Sequence, residues 1–467
     1  MLPEGFEARM RALLGSEYED FLASFDRPLC TGLRRNPLKT GFTGDLSRFS
    51  LSPVPWCPTG FYYDAVSRPG LSPYHAAGLY YLQEPSAMAP AELLDPQPGE
   101  RVLDLCAAPG GKSTQLAGKL QGKGLLVCNE INAKRAKILS GNIERLGISN
   151  ALVLNEHPKR LEERFAGYFD KILVDAPCSG EGMFRKDDAA RGEWSEANVR
   201  LCASRQDAIL REAWRALRPG GTLLYSTCTF NRTEDEGSLE RFLAWAGDEV
   251  AEAGEFPLAE EWGILGGRVG AFRTFRFFPH RAEGEGFFAA VARKAPDTGG
   301  RSRTPRQRRE VLVAADKAAA AELARWVEEP AAMRFAAAGD TLYGWYAAQY
   351  DAVRSLSGVL PVIYSGVAMG QLFKGRLKPD PALALFAGLR RDAVPTAELG
   401  SEDALRFLRK QELAAGLFAE GINLVTASGR ALGFVKRIGP RVNNLYPNSL
   451  RILRQQGDGE PAGEGEA

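Results

Sequence analysis

The sequence predicts an α/β fold: a Rossmann-like core with a seven-stranded, mostly parallel sheet, preceded by an α+β module and followed by a β-rich module. Three observations predict it. Between residues 96 and 294, short apolar runs alternate with helical patterns, the signature of a parallel sheet with crossover helices. Within that span, Pro109-Gly110-Gly111 joins a strand-like run to a helix-like one, as in nucleotide-binding α/β folds. The chain has 467 residues, 45 % hydrophobic and 25 % charged, ordinary globular values for roughly three domains.

Taken in order, residues 1–95 read as an N-terminal module with an amphipathic helix near Phe6 to Phe25, the basic stretch Gly32 to Lys39, and aromatic loops broken by proline. Core strands are expected at Arg101 to Ala107, Leu125 to Glu130, Ala151 to Glu156, Lys171 to Pro177 and Gly221 to Thr229. Helices fall between them at Ser113 to Leu120, Asn132 to Leu146 and Val199 to Leu217, the last ended by Arg218-Pro219-Gly220-Gly221. Strands near Arg273 to Phe278 and Phe287 to Arg293 close a core spanning residues 96–294. Residues 295–312 have the Gly, Pro, Ser and charge content of a basic linker. An Ala-rich helical stretch then leads into short strands and turns in a C-terminal region, residues 313–455, and the acidic tail 456–467 is expected to be disordered.

Composition narrows the function classes. Seven cysteines without any C-x-x-C pair favour neither a disulfide framework nor a zinc ribbon, so no metal is expected and a reducing, cytoplasmic setting is. No run approaches a membrane span. The net charge is only +1, from 59 basic and 58 acidic residues. The distribution is uneven: Arg293 to Arg309 holds seven basic residues against one acid, and Pro361 to Arg454 fourteen against seven. Basic zones inside a neutral chain are the footprint expected for nucleic acid, though such runs also occur as solvated faces.

The segment Val102 to Ser113, VLDLCAAPGGKS, fails the two familiar phosphate-binding patterns. A P-loop needs glycine where Cys106 stands, and the dinucleotide fingerprint needs glycine where Ala and Pro stand. What remains is the methyltransferase version, in which the turn Cys106, Ala107, Ala108, Pro109, Gly110, Gly111 and Lys112 wraps the methionine end of S-adenosylmethionine. Glu130, closing the second strand, would take the ribose hydroxyls.

Cys178 in DAPCSGEGMFRKD and Cys228 in YSTCTF each stand just past a strand end. In a doubly wound sheet both would face the ligand crevice, where a functional thiol needs a depressed pKa that helix amides, Lys112 or Lys186 can supply. Cys30, Cys57, Cys106, Cys128 and Cys202 read instead as small packing residues.

CAAPGGK, NE followed by Arg135, DAPCSGEGMFRKD, STCTF and PHRAEGEGFF occur in one order over about half the chain. In these motifs the sequence resembles the RNA 5-methylcytosine methyltransferase family, the NOL1/NOP2/Sun group. The resemblance implies a class I methyltransferase core with S-adenosyl-L-methionine as cofactor, and a C-terminal PUA-like RNA-binding module. It assigns Cys228 as the nucleophile, Cys178 as the residue assisting the final elimination, and Asp175 to the pyrimidine near ring nitrogen 3 and to the methionine end of the cofactor. Arg135 and Asn155 join the cofactor set; where many relatives carry an Asp, this chain reads Asn155-Glu156-His157-Pro158.

Carbon 5 of cytosine is a poor nucleophile, so a thiolate must first add at carbon 6; covalent catalysis is what the chemistry requires. The base must be single-stranded or flipped out to reach both thiols. Arg34, Arg35, Asn36 and Lys39, Lys186, and Lys436, Arg437, Arg441, Asn443 and Asn444 are the candidate RNA contacts. The segments GEGMFRKD and GEGFF and the C-terminal extension favour ribosomal RNA of the small subunit as partner. The same chemistry on transfer RNA, and a non-catalytic RNA-binding assembly factor, are the competing readings.

Overall fold

The computed structural model describes residues 2–39, 46–256, 260–296 and 311–453. The expected acidic tail and residues 297–310 of the expected basic linker lie outside them.

The core is a Rossmann-like sheet whose central strands are Arg101–Asp104, Leu125–Asn129, Ala151–Leu154, Phe169–Asp175 and Leu217–Thr227. They are apolar almost without interruption because helices cover both faces; Leu125–Asn129 and Ala151–Leu154 are buried at every residue. Adjacent pairs run parallel. The sheet order runs from Arg101–Asp104 outward through Leu125–Asn129 to Ala151–Leu154, and on the other side through Phe169–Asp175 to Leu217–Thr227. The order therefore reverses between Arg101–Asp104 and Phe169–Asp175, and a crevice opens beyond their carboxyl ends. Phe287–Lys294 and Phe272–Phe277 add antiparallel strands beside Leu217–Thr227.

These are the seven expected strands, and the sheet continues to ten. Leu265–Val269 pairs with Phe272–Phe277, and Val250–Ala251 with Phe287–Lys294. Val362–Ser365 comes from the C-terminal region and pairs antiparallel with the edge strand Ala151–Leu154. That edge would otherwise present unpaired amides and carbonyls.

The expected single N-terminal helix is two, Glu4–Leu14 and Tyr18–Ala23, because Gly15 at φ 55° ends the first. Their Phe6, Met10, Tyr18 and Phe21 pack with Phe184, Phe230 and Phe278 of the core. The ring centroids of Phe21 and Phe230 are 5.4 Å apart. The stretch Gly32–Arg35 is an inner strand of a four-stranded sheet, between Gly60–Tyr62 and Tyr80–Leu82. Its Leu33 shares one core with Phe49 and Tyr80 and with Phe407, Val425 and Val435 of the C-terminal region. First and last modules thus close on each other. The C-terminal region holds a five-stranded and a four-stranded sheet. No helix among the described residues is long and apolar enough to cross a membrane.

Candidate active site

The glycine turn leaves Arg101–Asp104 and enters the helix Gly111–Leu120. Gly110 sits at φ 116°, and a Cβ there would come within 3.1 Å of Leu139 Cδ1, so the turn needs glycine. The free amides of the helix's first turn face the crevice end of the sheet. Glu130 follows Leu125–Asn129 and is 3 % exposed; its Oε1 accepts from the Asn132 amide at 2.9 Å. Arg135 ties the two segments together, donating to the Ala108 carbonyl (2.8 Å) and standing 3.6 Å from Glu130 Oε2. The Asn155 amide nitrogen donates to the carbonyls of Glu130 and Ile131, which pins that loop. His157 is exposed and its Nδ1 accepts from the Lys159 amide as a helix cap.

Asp104 was not singled out by motif reasoning, although an acid inside the apolar run VLDL is the available signal. It is fully buried beneath the turn, where Oδ2 accepts from Ser113 Oγ at 2.6 Å and Oδ1 has no partner. Burial pushes its carboxyl up to about 7. A cation bound at the turn would favour its ionised form. The turn, the Glu130 carboxylate and this uncompensated acid fit S-adenosylmethionine, which carries a sulfonium, an ammonium and two ribose hydroxyls.

Asp175 ends Phe169–Asp175 and accepts from Lys112 Nζ (2.7 Å) and Ser226 Oγ (2.8 Å). Three residues on, Cys178 Sγ lies 3.4 Å from Cys228 Sγ, which follows the end of Leu217–Thr227. Both cysteines are residues of intermediate exposure. They are not equivalent. The hydrogen bond from Cys178 holds the Cys228 thiol below its usual value, with Lys112 adding to the effect. The same bond, together with burial, raises Cys178 well above its own. The expectation of a depressed pKa therefore holds for Cys228 and is corrected for Cys178, whose thiol is pushed the other way. Lys112 is itself held above its usual value: burial opposes its charge, and Asp175 outweighs burial.

The loops bearing the two thiols are laced together below the crevice. The Gly182 amide donates to the Cys228 carbonyl at 2.8 Å. Ser179 Oγ meets Thr229 Oγ1 at 2.9 Å. Glu234, wholly buried, accepts from the Ser179 amide, Gln206 and Asn231, and Glu181 accepts from the Phe230 amide and Trp194. Ser179, Glu181, Asn231 and Glu234 were missed by sequence reasoning, since nothing local distinguishes them from turn residues.

Three expected RNA contacts are corrected. Arg34 is 1 % exposed and donates to Gln83, Thr114 and the Gly111 carbonyl. Asn36 is buried and bonds the carbonyls of Gly78 and Leu146. Lys39 donates to the carbonyls of Ala77 and Arg145, and burial lowers it to about 7. All three join the N-terminal module to the core because unsatisfied carbonyls and hydroxyls meet there. Arg35 is exposed and stacks over Phe61. Lys186 is half-buried, Lys436 and Arg441 are exposed, and Arg437 is partly tied to the Phe418 carbonyl.

Family models match along the chain: "N-terminal domain of 16S rRNA methyltransferase RsmF" over residues 2–85, "16S rRNA methyltransferase RsmB/F" over 91–293, and "Methyltransferase RsmF PUA domain" over 394–452. The chain is similar to Ribosomal RNA small subunit methyltransferase F of Klebsiella pneumoniae, 35 % identical over 481 residues and 96 % of each chain. It is 33 % identical over 476 residues to the protein so named from Escherichia coli O127:H6, again with 96 % of each covered. Among solved structures, a methyltransferase homolog protein from Pyrococcus horikoshii matches with TM-score 0.52 and 30 % identity, over 62 % of this chain and 95 % of that one. NSun6 from Pyrococcus horikoshii with SFG shares the fold, with TM-score 0.54 and 22 % identity over 63 % and 99 %.

Proposed function

The chain belongs to the 16S rRNA methyltransferase RsmB/F family, and from that membership we propose that it forms 5-methylcytosine in small-subunit ribosomal RNA, with Cys228 as covalent nucleophile. One observation carries the reading: two thiols 3.4 Å apart beyond the carboxyl ends of neighbouring strands, with Cys228 the more acidic of the two.

Residues Cys106 to Lys112 would hold the methionine end of S-adenosylmethionine, Glu130 its ribose hydroxyls, and Arg135, Asn155 and Asp175 the remainder of the pocket. When bound, the cofactor supplies an electrophilic methyl group. Cys228 adds through its thiolate to carbon 6 of the cytosine, and the ring electrons shift to make carbon 5 nucleophilic. Asp175, fixed by Lys112 and Ser226, accepts from the amino group beside ring nitrogen 3 and so positions the ring for addition. Once Cys228 is bonded to carbon, Cys178, having given up its own proton to solvent, takes the proton from carbon 5. The electrons of that C–H bond restore the ring double bond and expel Cys228 as a thiolate.

The target cytosine enters single-stranded or flipped out. Lys436 and Arg441 on the PUA module, Arg35 on the N-terminal module and Lys186 near the crevice remain candidates for phosphate contact, and the cytoplasm is the compartment where this substrate is made. Bisulfite sequencing of RNA from a deletion strain tests the assignment. Loss of methylation at a small-subunit ribosomal cytosine is expected; unchanged ribosomal RNA with a lost transfer RNA site would refute it.

A further inference from the structure

We propose that the β-hairpin formed by Val367–Phe373 and Arg376–Pro379 is an RNA-reading finger: Phe373 stacks an unpaired base while Lys374, Arg376 and Lys378 hold the neighbouring phosphates. The inference rests on the ribosomal RNA reading above and adds to it a contact surface. The hairpin lies between the segments 91–293 and 394–452 that the family models match.

The register decides which side chains share a face. Phe373 pairs with Arg376, Leu372 with Leu377, and Gln371 with Lys378. Alternation along each strand therefore gathers Gln371, Phe373, Arg376 and Lys378 on one side, and all four are exposed. The opposite side is anchored. Leu377 is buried in the core of this region with Leu372 packed against it, and its amide donates to Glu322 Oε1 at 3.1 Å. A firmly held hairpin thus presents a ring that is 70 % exposed. Left in water, that ring adds nothing to the hydrophobic core.

Along the hairpin itself the charge has one sign. From Gln371 to Pro379 there are three cations and no acid. Lys374 occupies the tip at φ 51° and its Nζ lies 5.7 Å from the Phe373 ring centroid. An isolated exposed aromatic flanked by cations suits a polyanion that also offers flat apolar faces, which is the chemistry of unpaired RNA. A protein or lipid partner would be served by a broader apolar patch.

The test uses the full chain and protein-free small-subunit ribosomal RNA. Ultraviolet crosslinking followed by peptide mass spectrometry is expected to place a nucleotide adduct on the hairpin tip. Phe373→Ala is expected to weaken binding about ten-fold, the scale of losing one base–aromatic stack. The double change Arg376→Gln, Lys378→Gln is expected to lower the slope of log K against log salt by about two. Melting temperature and S-adenosylmethionine affinity stay at wild-type values for both variants. Equal RNA binding by wild type and variants overturns the proposal. So does a defect seen only with assembled subunits and absent with protein-free RNA, which would assign the hairpin to a ribosomal protein. Failure of the functional reading looks different: the wild type itself would make no 5-methylcytosine, whatever the hairpin variants bind.

Discussion

Cys178 Sγ lies 3.4 Å from Cys228 Sγ across two loops that leave neighbouring strands of one sheet. Fifty residues of sequence separate them. At that distance each sulfur sets the acidity of the other. Their hydrogen bond lowers Cys228 and raises Cys178, so Cys228 is the sulfur better prepared for attack.

Alkylation of Cys228 by iodoacetamide, followed by peptide mass spectrometry, reads this asymmetry. The rate should rise with pH through an inflection below the usual cysteine value, because a lowered pKa populates the thiolate at lower pH. Cys178→Ala removes the largest cause of the lowering and should move the inflection upward. An inflection that stays in place in that variant would show that the Cys178 hydrogen bond does not set it.

Asp104 gives a second pH signature. Its carboxyl is raised by burial from 3.8 to about 7, so the folded state holds a proton that the unfolded state has released. Between those two values stability falls as pH rises. Asp104→Asn should flatten that part of the stability profile and raise the melting temperature at pH 8 by a few degrees. In the wild type, affinity for the cationic cofactor should increase through neutral pH as Asp104 ionises; in Asp104→Asn it should be lower and flat. Calorimetric titration at pH 6 and pH 8 checks both.

Gly182→Ala probes the lacing of the two loops. A Cβ there would stand 2.9 Å from the Gly286 carbonyl oxygen and 3.0 Å from that of Cys228, and both are backbone atoms that cannot swing aside. Overpacking of this kind costs about 1–3 kcal/mol. Methyl transfer should fall at least about ten-fold as the thiols separate, with S-adenosylmethionine affinity unchanged.

Arg34→Ala distinguishes a joint from an RNA contact. The change strands the hydrogen-bonding groups of Gln83 and Thr114 in a buried setting and should cost about 2–4 kcal/mol of stability. The salt dependence of RNA binding should stay as in the wild type. A reduced salt slope with unaltered melting would return Arg34 to the RNA surface.

The core was legible because its strands are short apolar runs between helical patterns, and Gly110 and Gly111 mark the turn that interrupts them. The meeting of Cys178 and Cys228 was legible too, since both follow strand ends beside a topological switch. What remained hidden depends on distant partners. Arg34 looks like any surface arginine until Gln83 and Thr114 are brought around it. Val362–Ser365 joins the core sheet because Ala151–Leu154 is left as an edge, which no local pattern announces. That Cys228 is lowered and Cys178 raised follows chiefly from the hydrogen bond between them, which spacing does not reveal.

The most direct measurement is covalent trapping. Cys178→Ala enzyme incubated with S-adenosylmethionine and small-subunit ribosomal RNA should migrate on a denaturing gel as an RNA-linked species, with the adduct mapped by mass spectrometry to Cys228. Adding Cys228→Ala should abolish both that band and methyl transfer, the latter by roughly 10³-fold or more, as expected for loss of a nucleophile. A shifted band that survives without Cys228, or methyl transfer that continues without it, would contradict the account.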